Sequence, residues 1–433
     1  MTPWTNWSRT VTSTPRQLVK PRDLTEVRDA VTRAASDGTR LRVRGSGHSF
    51  TPIAATDGVA LDPSQLTGIA SVDAAAGLVT VRAGTTLRGL NVELDELGLA
   101  MSNLGDIDAQ TISGAISTGT HGTGAAFGGL ATQVAALELV LADGSVAHCS
   151  ADERPELFAA ARVGLGALGV ITAVTLRCEP AFVLEAEERP ERIEGVLDGF
   201  DRLATDNDHF EFYWFPYGRN ALVKRNNRLP AGTEPRPLSR PRQFFEYRIM
   251  ENAAFGALCR LGRMVPPLVK PLNRLSSAAL SSRTYRDSSH RVFVTQRGVR
   301  FVESEYAVPR QALPEVLAAL RKYVPRLSDP VMFPVEVRVA AADDVWLSTA
   351  YGRDTGYVAV HQYAGMPYQA YFALFESIAA DADGRPHWGK LHTLDASTLR
   401  NRYPRLDDFR RVRAMVDPDG VFGNDYTRRV LGE

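Results

Sequence analysis

Apolar positions along the chain keep two periods, one helical and one strand-like, and their alternation predicts short βα and hairpin units in the first third. Leu24, Val27, Val31 and Ala34 recur at helical spacing. Asp23 and Glu26 form a capping box ahead of them in Pro-Arg-Asp-Leu-Thr-Glu, and Gly38 stops the run. A second amphipathic helix carries Leu87, Leu90, Leu94 and Leu97 and ends at Gly98. Leu41-Arg42-Val43-Arg44 alternates as a strand and runs straight into a glycine loop. Residues 134–142 and 145–149 flank Asp143-Gly144, which predicts a hairpin, and the β-branched run 169–177 is a further strand. The composition changes beyond Glu179-Pro180, so the first domain ends near residue 180.

The segment 181–300 is basic and punctuated by proline, as in Arg-Pro-Leu-Ser-Arg-Pro-Arg at 236–242. Residues 210–214 alternate charge and aromatic rings as an edge strand does. Residues 252–265 are amphipathic and basic on one side, which fits a cap-domain helix packed on a sheet; the alternative, a membrane-surface helix, is cut short by Pro266-Pro267. Strands reappear at 300–308, 333–340 and 357–363, with a helix over 313–323.

A length of 433 residues exceeds what one core serves and predicts two or three domains. Fifty basic residues balance fifty acidic ones, so the electrostatic footprint of a nucleic-acid binder is missing. No apolar run is long enough to span a bilayer. The first residues carry no basic-then-apolar signal, which predicts a cytoplasmic protein. Cys149, Cys178 and Cys259 are widely spaced, which excludes a disulfide scaffold and a thiolate zinc site, and no metal is expected.

Two glycine loops stand out, Arg44-Gly45-Ser46-Gly47-His48-Ser49-Phe50 and Ser113-Gly114-Ala115-Ile116-Ser117-Thr118-Gly119-Thr120-His121-Gly122-Thr123-Gly124. Neither is a P-loop or a Rossmann fingerprint. Backbone amides in such loops can still cradle an anion. Each hydrogen bond to a charged group contributes about 1.5–3 kcal/mol, so five or six supply roughly 8–15 kcal/mol. Micromolar binding takes about 8 kcal/mol, with several more for association, so a dinucleotide fits without lysine clamps. The bland alternative is that these glycines only serve tight turns. Further along, Glu336 and Arg338 are two apart in Phe-Pro-Val-Glu-Val-Arg-Val, so a strand turns both to one side and Val335, Val337 and Val339 to the other. That spacing holds a carboxylate and a guanidinium over one site, and Lys390 in an aromatic-flanked loop adds a cation.

Together with Gly105-Asp106-Ile107-Asp108, Gly169-Val170-Ile171-Thr172, His387-Trp388-Gly389-Lys390 and Phe422-Gly423-Asn424-Asp425-Tyr426, these motifs make the chain similar to the vanillyl-alcohol-oxidase, or PCMH-type, flavoprotein superfamily, in the branch of aldonolactone and alditol oxidases. The motifs stand in family order over nearly the whole chain, most thinly between 190 and 300. The resemblance implies an α+β fold: a two-part FAD-binding domain over 1–180, an α+β substrate cap over 181–385, and a segment over 386–433 returning to the flavin. It implies FAD contacts from Arg44, Gly45, Ser46, Gly47, His48, Ser49, Gly105, Ser113, Gly114, Ser117, Thr118, Gly119, His121, Gly122, Val170, Ile171 and Lys390. His48 would carry the flavin covalently, whereas His121 is expected to be structural. Glu336, Arg338 and Lys390 would be catalytic, and Asp106 and His361 would contact substrate. Gly105, without a side chain, would leave dioxygen a path to the ring. The expected reaction is hydride transfer from an alcohol carbon of a sugar 1,4-lactone, of L-gulono- or D-arabinono-type, to flavin N5, with reoxidation by oxygen giving hydrogen peroxide. An alditol such as xylitol as substrate, or a dehydrogenase using another acceptor, are the alternatives on this scaffold. A protein that only binds a nucleotide is the alternative outside it, and it leaves Glu336, Arg338 and Lys390 without a purpose.

Overall fold

The computed structural model describes residues 3–295 and 297–432. Its first layer is a small parallel sheet in the order Gln17–Val19, Val59–Leu61, Leu41–Val43. The helix Leu24–Ser36 packs Val27, Val31 and Ala34 on it, together with Leu41 and Leu61. Asp23 caps that helix by accepting from the Glu26 amide at 2.9 Å. The reciprocal bond of a capping box slips by one residue, because Glu26 accepts from the Arg22 amide instead. Arg42 is buried rather than solvated, with Nε donating to Ile53 O at 3.0 Å and Nη2 to Leu165 O at 2.8 Å. Carbonyls of distant loops make the buried position tolerable.

The second layer is an antiparallel sheet in the order Val146–Ser150, Val134–Val140, Val170–Arg177, Leu78–Arg82, Ile69–Asp73. Asp143 and Gly144 turn the hairpin, with Gly144 at φ +78°, a conformation that favours glycine. The helix Leu87–Glu96 covers this sheet through Leu87, Leu90 and Leu94. Leu97 was expected on the same face but follows the last helical residue and lies 48% exposed.

The third layer is an eight-stranded antiparallel sheet in the order Arg283–Ser288, Val183–Arg192, Asn220–Arg228, His209–Trp214, Val335–Ala340, Thr355–Tyr363, Phe301–Pro309, Arg385–Pro386. The strand His209–Trp214 is interior, with all six residues buried, not the edge its alternation suggested. One face carries valines and phenylalanines under the helices Leu313–Tyr323 and Gln369–Asp381. The other carries charge and faces the first two layers. The helix Phe255–Met264 buries Cys259 among Phe50, Met332 and Phe333, and no helix among the described residues is long and apolar enough to cross a membrane. The C-terminal helices return to the first two layers: Phe409, Val412 and Tyr426 join the core of the second, and Leu41 N–H donates to Val421 O at 2.8 Å in the first.

Candidate active site

The first glycine loop ends the strand Leu41–Val43 and passes over the N-terminus of the helix Ile112–Ser117. Arg44 N–H donates to Leu61 O (2.8 Å) and Phe50 N–H to Gly389 O (2.7 Å), but between them the amides of residues 45–49 donate to no acceptor among the described residues. Gly47 has φ +73°, and a Cβ there would lie 3.0 Å from the Trp4 ring. A Cβ on Gly45 would lie 2.6 Å from Thr111 Oγ1, which caps the helix by accepting from Gly114 N–H. Turn geometry and packing therefore require these glycines, and the amides they carry remain available to an anion. Gly45, Ser46, Gly47, His48 and Ser49 line one side of a narrow cleft; Ser113, Gly114, Ser117, Thr118 and Ile171 line the other. Five backbone donors suit a diphosphate, and the one cation lining the cleft among the described residues, Arg42, is engaged by loop carbonyls, so the residues present fit FAD.

Four of the expected contacts, Arg44, Gly119, Gly122 and Val170, line neither this cleft nor the cavity beyond it. Val170 points away from it into the core with Val27 and Val31. Arg44 lies 3.8 Å from Asp62 and over the Trp4 ring. Gly119, at φ +75°, only allows the turn, and a Cβ on Gly122 would lie 2.3 Å from Leu104 O. Gly122 is thus a site of close backbone approach.

The cleft leads past His48 and Thr118 into a cavity beneath the charged face of the eight-stranded sheet. Burial, then the charge of Lys390, lowers the pKa of His48 and keeps its ring neutral; Trp7 stacks on it at 5.8 Å. Glu336 and Arg338 project together from the strand Val335–Ala340, while Val335, Val337 and Val339 are fully buried behind them. Arg338 pairs with Glu336, donates to Glu211 at 2.7 Å and lies 3.7 Å from Asp106. Asp106 accepts from Arg297 Nε at 2.8 Å. Burial alone would raise the Asp106 carboxyl, but Arg297 and Arg338 outweigh it and hold it well below the carboxylate range. Burial opposes ionisation of Glu211 as well, and Lys224 with Arg338 brings it down to about 2.

Glu336 differs from its neighbours. Four carboxylates (Asp106, Glu303, Glu305, Glu336) line the cavity against three cations (Arg297, Arg338, Lys390) among the described residues. Burial raises Glu336 above the usual range, and Arg338 only partly offsets it because Asp106 and Glu211 compete for the same guanidinium. Tyr213 OH donates to Glu336 at 2.9 Å. Opposite, Lys390 pairs with Glu303 at 2.5 Å and lies 3.9 Å from Glu305. Burial would lower its pKa, but these two carboxylates raise it. His361 donates from Nδ1 to Pro334 O (3.0 Å) and turns Nε2 toward Glu303 (3.5 Å) and Glu336 (3.8 Å). His121 stacks on Tyr357 and contacts Glu305 (2.8 Å) and Gly122 O (2.9 Å). His121, Glu305 and His387 bring one ligand atom each within 4.8 Å of one another, inside this same cavity. Gly105 lies on the wall, yet a Cβ there would press to 3.1 Å from His121 O and 3.3 Å from Thr120 Cγ2.

Sequence reasoning missed Glu303 and Glu305, although Phe-Val-Glu-Ser-Glu-Tyr shows the same two-residue spacing as Glu336 and Arg338. It also missed Glu211, Tyr213, Arg297 and His387, which reach the site through strand order and loops.

Residues 174–430 match the family described as D-arabinono-1,4-lactone oxidase, and residues 15–150 match an FAD binding domain. The chain is 46% identical over 429 residues to the L-gulono-1,4-lactone dehydrogenase of Mycobacterium tuberculosis, covering 99% of each. It is 34% identical over 433 residues to the L-gulonolactone oxidase of Bos taurus, covering 98% of this chain and 97% of that one. Identity to the alditol oxidase of a Streptomyces species is 33% over 442 residues, covering 99% and 98%. Cholesterol oxidase from Brevibacterium sterolicum superposes with a TM-score of 0.85 at 17% identity, covering 99% of this chain and 96% of that one, a likeness of fold. The α+β architecture is therefore that of the PCMH-type flavoproteins.

Proposed function

Because the chain belongs to the D-arabinono-1,4-lactone oxidase family and is an FAD-dependent oxidoreductase acting on CH–OH groups, we propose that it oxidises a sugar 1,4-lactone of the L-gulono- or D-arabinono-type. FAD, when bound, supplies the acceptor for the hydride that leaves the alcohol carbon. The amides of residues 45–49 would hold its diphosphate, and His48, a neutral ring at the junction of cleft and cavity, would be its point of covalent attachment.

Glu336 takes the hydroxyl proton. The reading is carried by one observation: Glu336 faces the cavity in a cluster of four carboxylates and three cations, where burial raises its carboxyl above the usual range and makes it a better proton acceptor once ionised. Arg338 and Tyr213 fix its orientation. Lys390 supplies a buried positive charge to the cavity and would stabilise the anionic reduced flavin. Asp106 keeps one oxygen on Arg297 and turns the cluster toward a substrate with several hydroxyls.

Oxygen as acceptor is supported by Gly105 on the cavity wall. A second reading, a non-oxygen acceptor, is favoured by the close contact a Cβ at Gly105 would make, since packing alone then requires the glycine. The relative from M. tuberculosis is named a dehydrogenase.

Turnover of L-gulono-1,4-lactone, D-arabinono-1,4-lactone, xylitol and sorbitol, each in air and with ferricyanide, tests the proposal. Lactones are expected to exceed alditols in kcat/KM by about tenfold or more, near 1.4 kcal/mol of transition-state discrimination. The reverse ratio would overturn the substrate assignment, and activity with ferricyanide alone would overturn oxygen as acceptor. Acid-precipitated protein should stay yellow, and His48→Ala should release the colour.

A further inference from the structure

Beside the catalytic cavity, along the same face of the eight-stranded sheet, lies a chamber of about 450 Å³, against about 90 Å³ for the cavity itself. Arg297 and Phe301 belong to both and form the wall between them. Phe215, Phe245, Phe255, Phe301 and Phe333 line the chamber. Phe255 packs edge-on against Phe215 and Phe333, with ring centroids 6.1 and 5.1 Å apart, so these rings brace one another. Phe245 and Met250 line the chamber and are 54% and 41% exposed, which makes them its mouth. Phe244 and Ile249 lie exposed in the same π-helical segment, Phe244–Ala254. Apolar residues left uncovered together on a surface mark a place where something apolar arrives.

A polyhydroxylated lactone would give up hydrogen bonds among five phenyl rings, and the buried charges that also line the chamber are already engaged, Glu188 and Glu251 with Arg283 and Lys224 with Glu211. Two polar atoms of the wall are different. Ser276 Oγ and Arg283 Nε are buried there without a partner, and both can donate. The ligand that satisfies this chamber is therefore flat and apolar, with oxygens that accept hydrogen bonds and do not need to donate.

We propose that the chamber binds a lipophilic quinone, which serves as an electron acceptor for the lactone oxidation. This rests on the reaction assigned above. The alcohol carbon loses its C–H bond and the hydroxyl its O–H bond, giving a carbonyl, two electrons and two protons. The quinone takes up those two electrons and two protons and leaves as the hydroquinone, so nothing else is consumed. Arg297, bonded to Asp106 and to Tyr213 OH at 3.0 Å, separates the two sites, so lactone and quinone do not compete for one space.

The test is calorimetric titration of the flavin-loaded protein with a decyl-substituted benzoquinone, without lactone. Ala254→Trp fills the chamber from a residue outside the catalytic cluster, and Phe245→Ser alters only its exposed mouth. Wild type should bind the quinone, and both variants should bind it about tenfold more weakly or worse while keeping ferricyanide-linked lactone turnover. Saturating lactone should leave the quinone affinity unchanged. No binding to wild type, equal binding to both variants, or displacement by lactone would overturn the chamber as a quinone site; displacement would assign it instead to an apolar extension of the substrate. Quinone binding without lactone turnover in any acceptor would overturn the lactone assignment and leave the site standing.

Discussion

Glu336 shows how far a single side chain can be argued. Its carboxyl is raised by burial, and only the ionised form accepts a proton, so turnover should rise with pH through a value above the ordinary carboxylate range. Glu336→Gln keeps the shape and the bond from Tyr213 but cannot take the proton. It should lower kcat by about 100-fold or more, with KM changed much less, and should abolish the acid limb of the kcat profile. A variant that retains that limb would show that another group titrates. The position of Glu336 and Arg338 was legible because a strand period and the three valines that flank them fix which way each residue turns. Glu303 and Glu305 carried the same signal and were readable in principle. Arg297 and Tyr213 were not, since one comes from a loop and the other from a strand whose neighbour lies 123 residues away.

Across the eight-stranded sheet, pairing does what no single strand discloses. Arg283 stands opposite Glu188, Glu188 opposite Lys224, and Lys224 opposite Glu211, which bonds Arg338. The signs alternate across five strands, each charge flanked by its opposite. Within a strand these residues look like ordinary polar positions of a solvated face, and Phe-Glu-Phe-Tyr-Trp reads as an edge. Strand order and register, set by distant segments, turn that face inward and make the ladder necessary. Lys224 is 8% exposed and lies 2.9 Å from Glu211. Lys224→Met should therefore destabilise by about 3 kcal/mol, because it removes one of the two cations that hold the buried Glu211 and leaves Arg338 to hold it alone. Urea midpoints check this, and Lys224→Met combined with Glu211→Leu should recover part of the loss, since the second change removes one stranded charge. A single variant as stable as wild type would show that water reaches the ladder.

At the scale of the whole molecule, the seams between layers hold two buried histidines whose environments suit only the neutral ring. His209 donates from Nδ1 to Thr123 O at 2.8 Å, stacks on Phe127 and leaves Nε2 buried without a partner. It joins the eight-stranded sheet to the second glycine loop. His392 lies 3.2 Å from Tyr426 OH with Nδ1 unpartnered, and it joins the C-terminal helices to the site. Burial pushes His209 down to about 4 and His392 down to about 3. Both folded values lie below that of a free imidazole, so between pH 6.5 and about 4 the unfolded chain binds protons that the folded chain refuses. Stability is therefore lost as pH falls through that window, by about 1.4 kcal/mol per pH unit for each histidine. Glu211, near 2, contributes its loss only below the ordinary carboxylate value, so it does not enter between pH 6.5 and 5. Glu336 and Glu251, both raised by burial, act in the opposite sense, which makes a variant a cleaner readout than wild type alone. His209→Phe should keep the stacking on Phe127 and lose the titration. Its unfolding free energy from urea titration should fall less steeply between pH 6.5 and 5 than that of wild type, by about 1.4 kcal/mol per unit, and parallel slopes would mean that folding does not depress the pKa of His209.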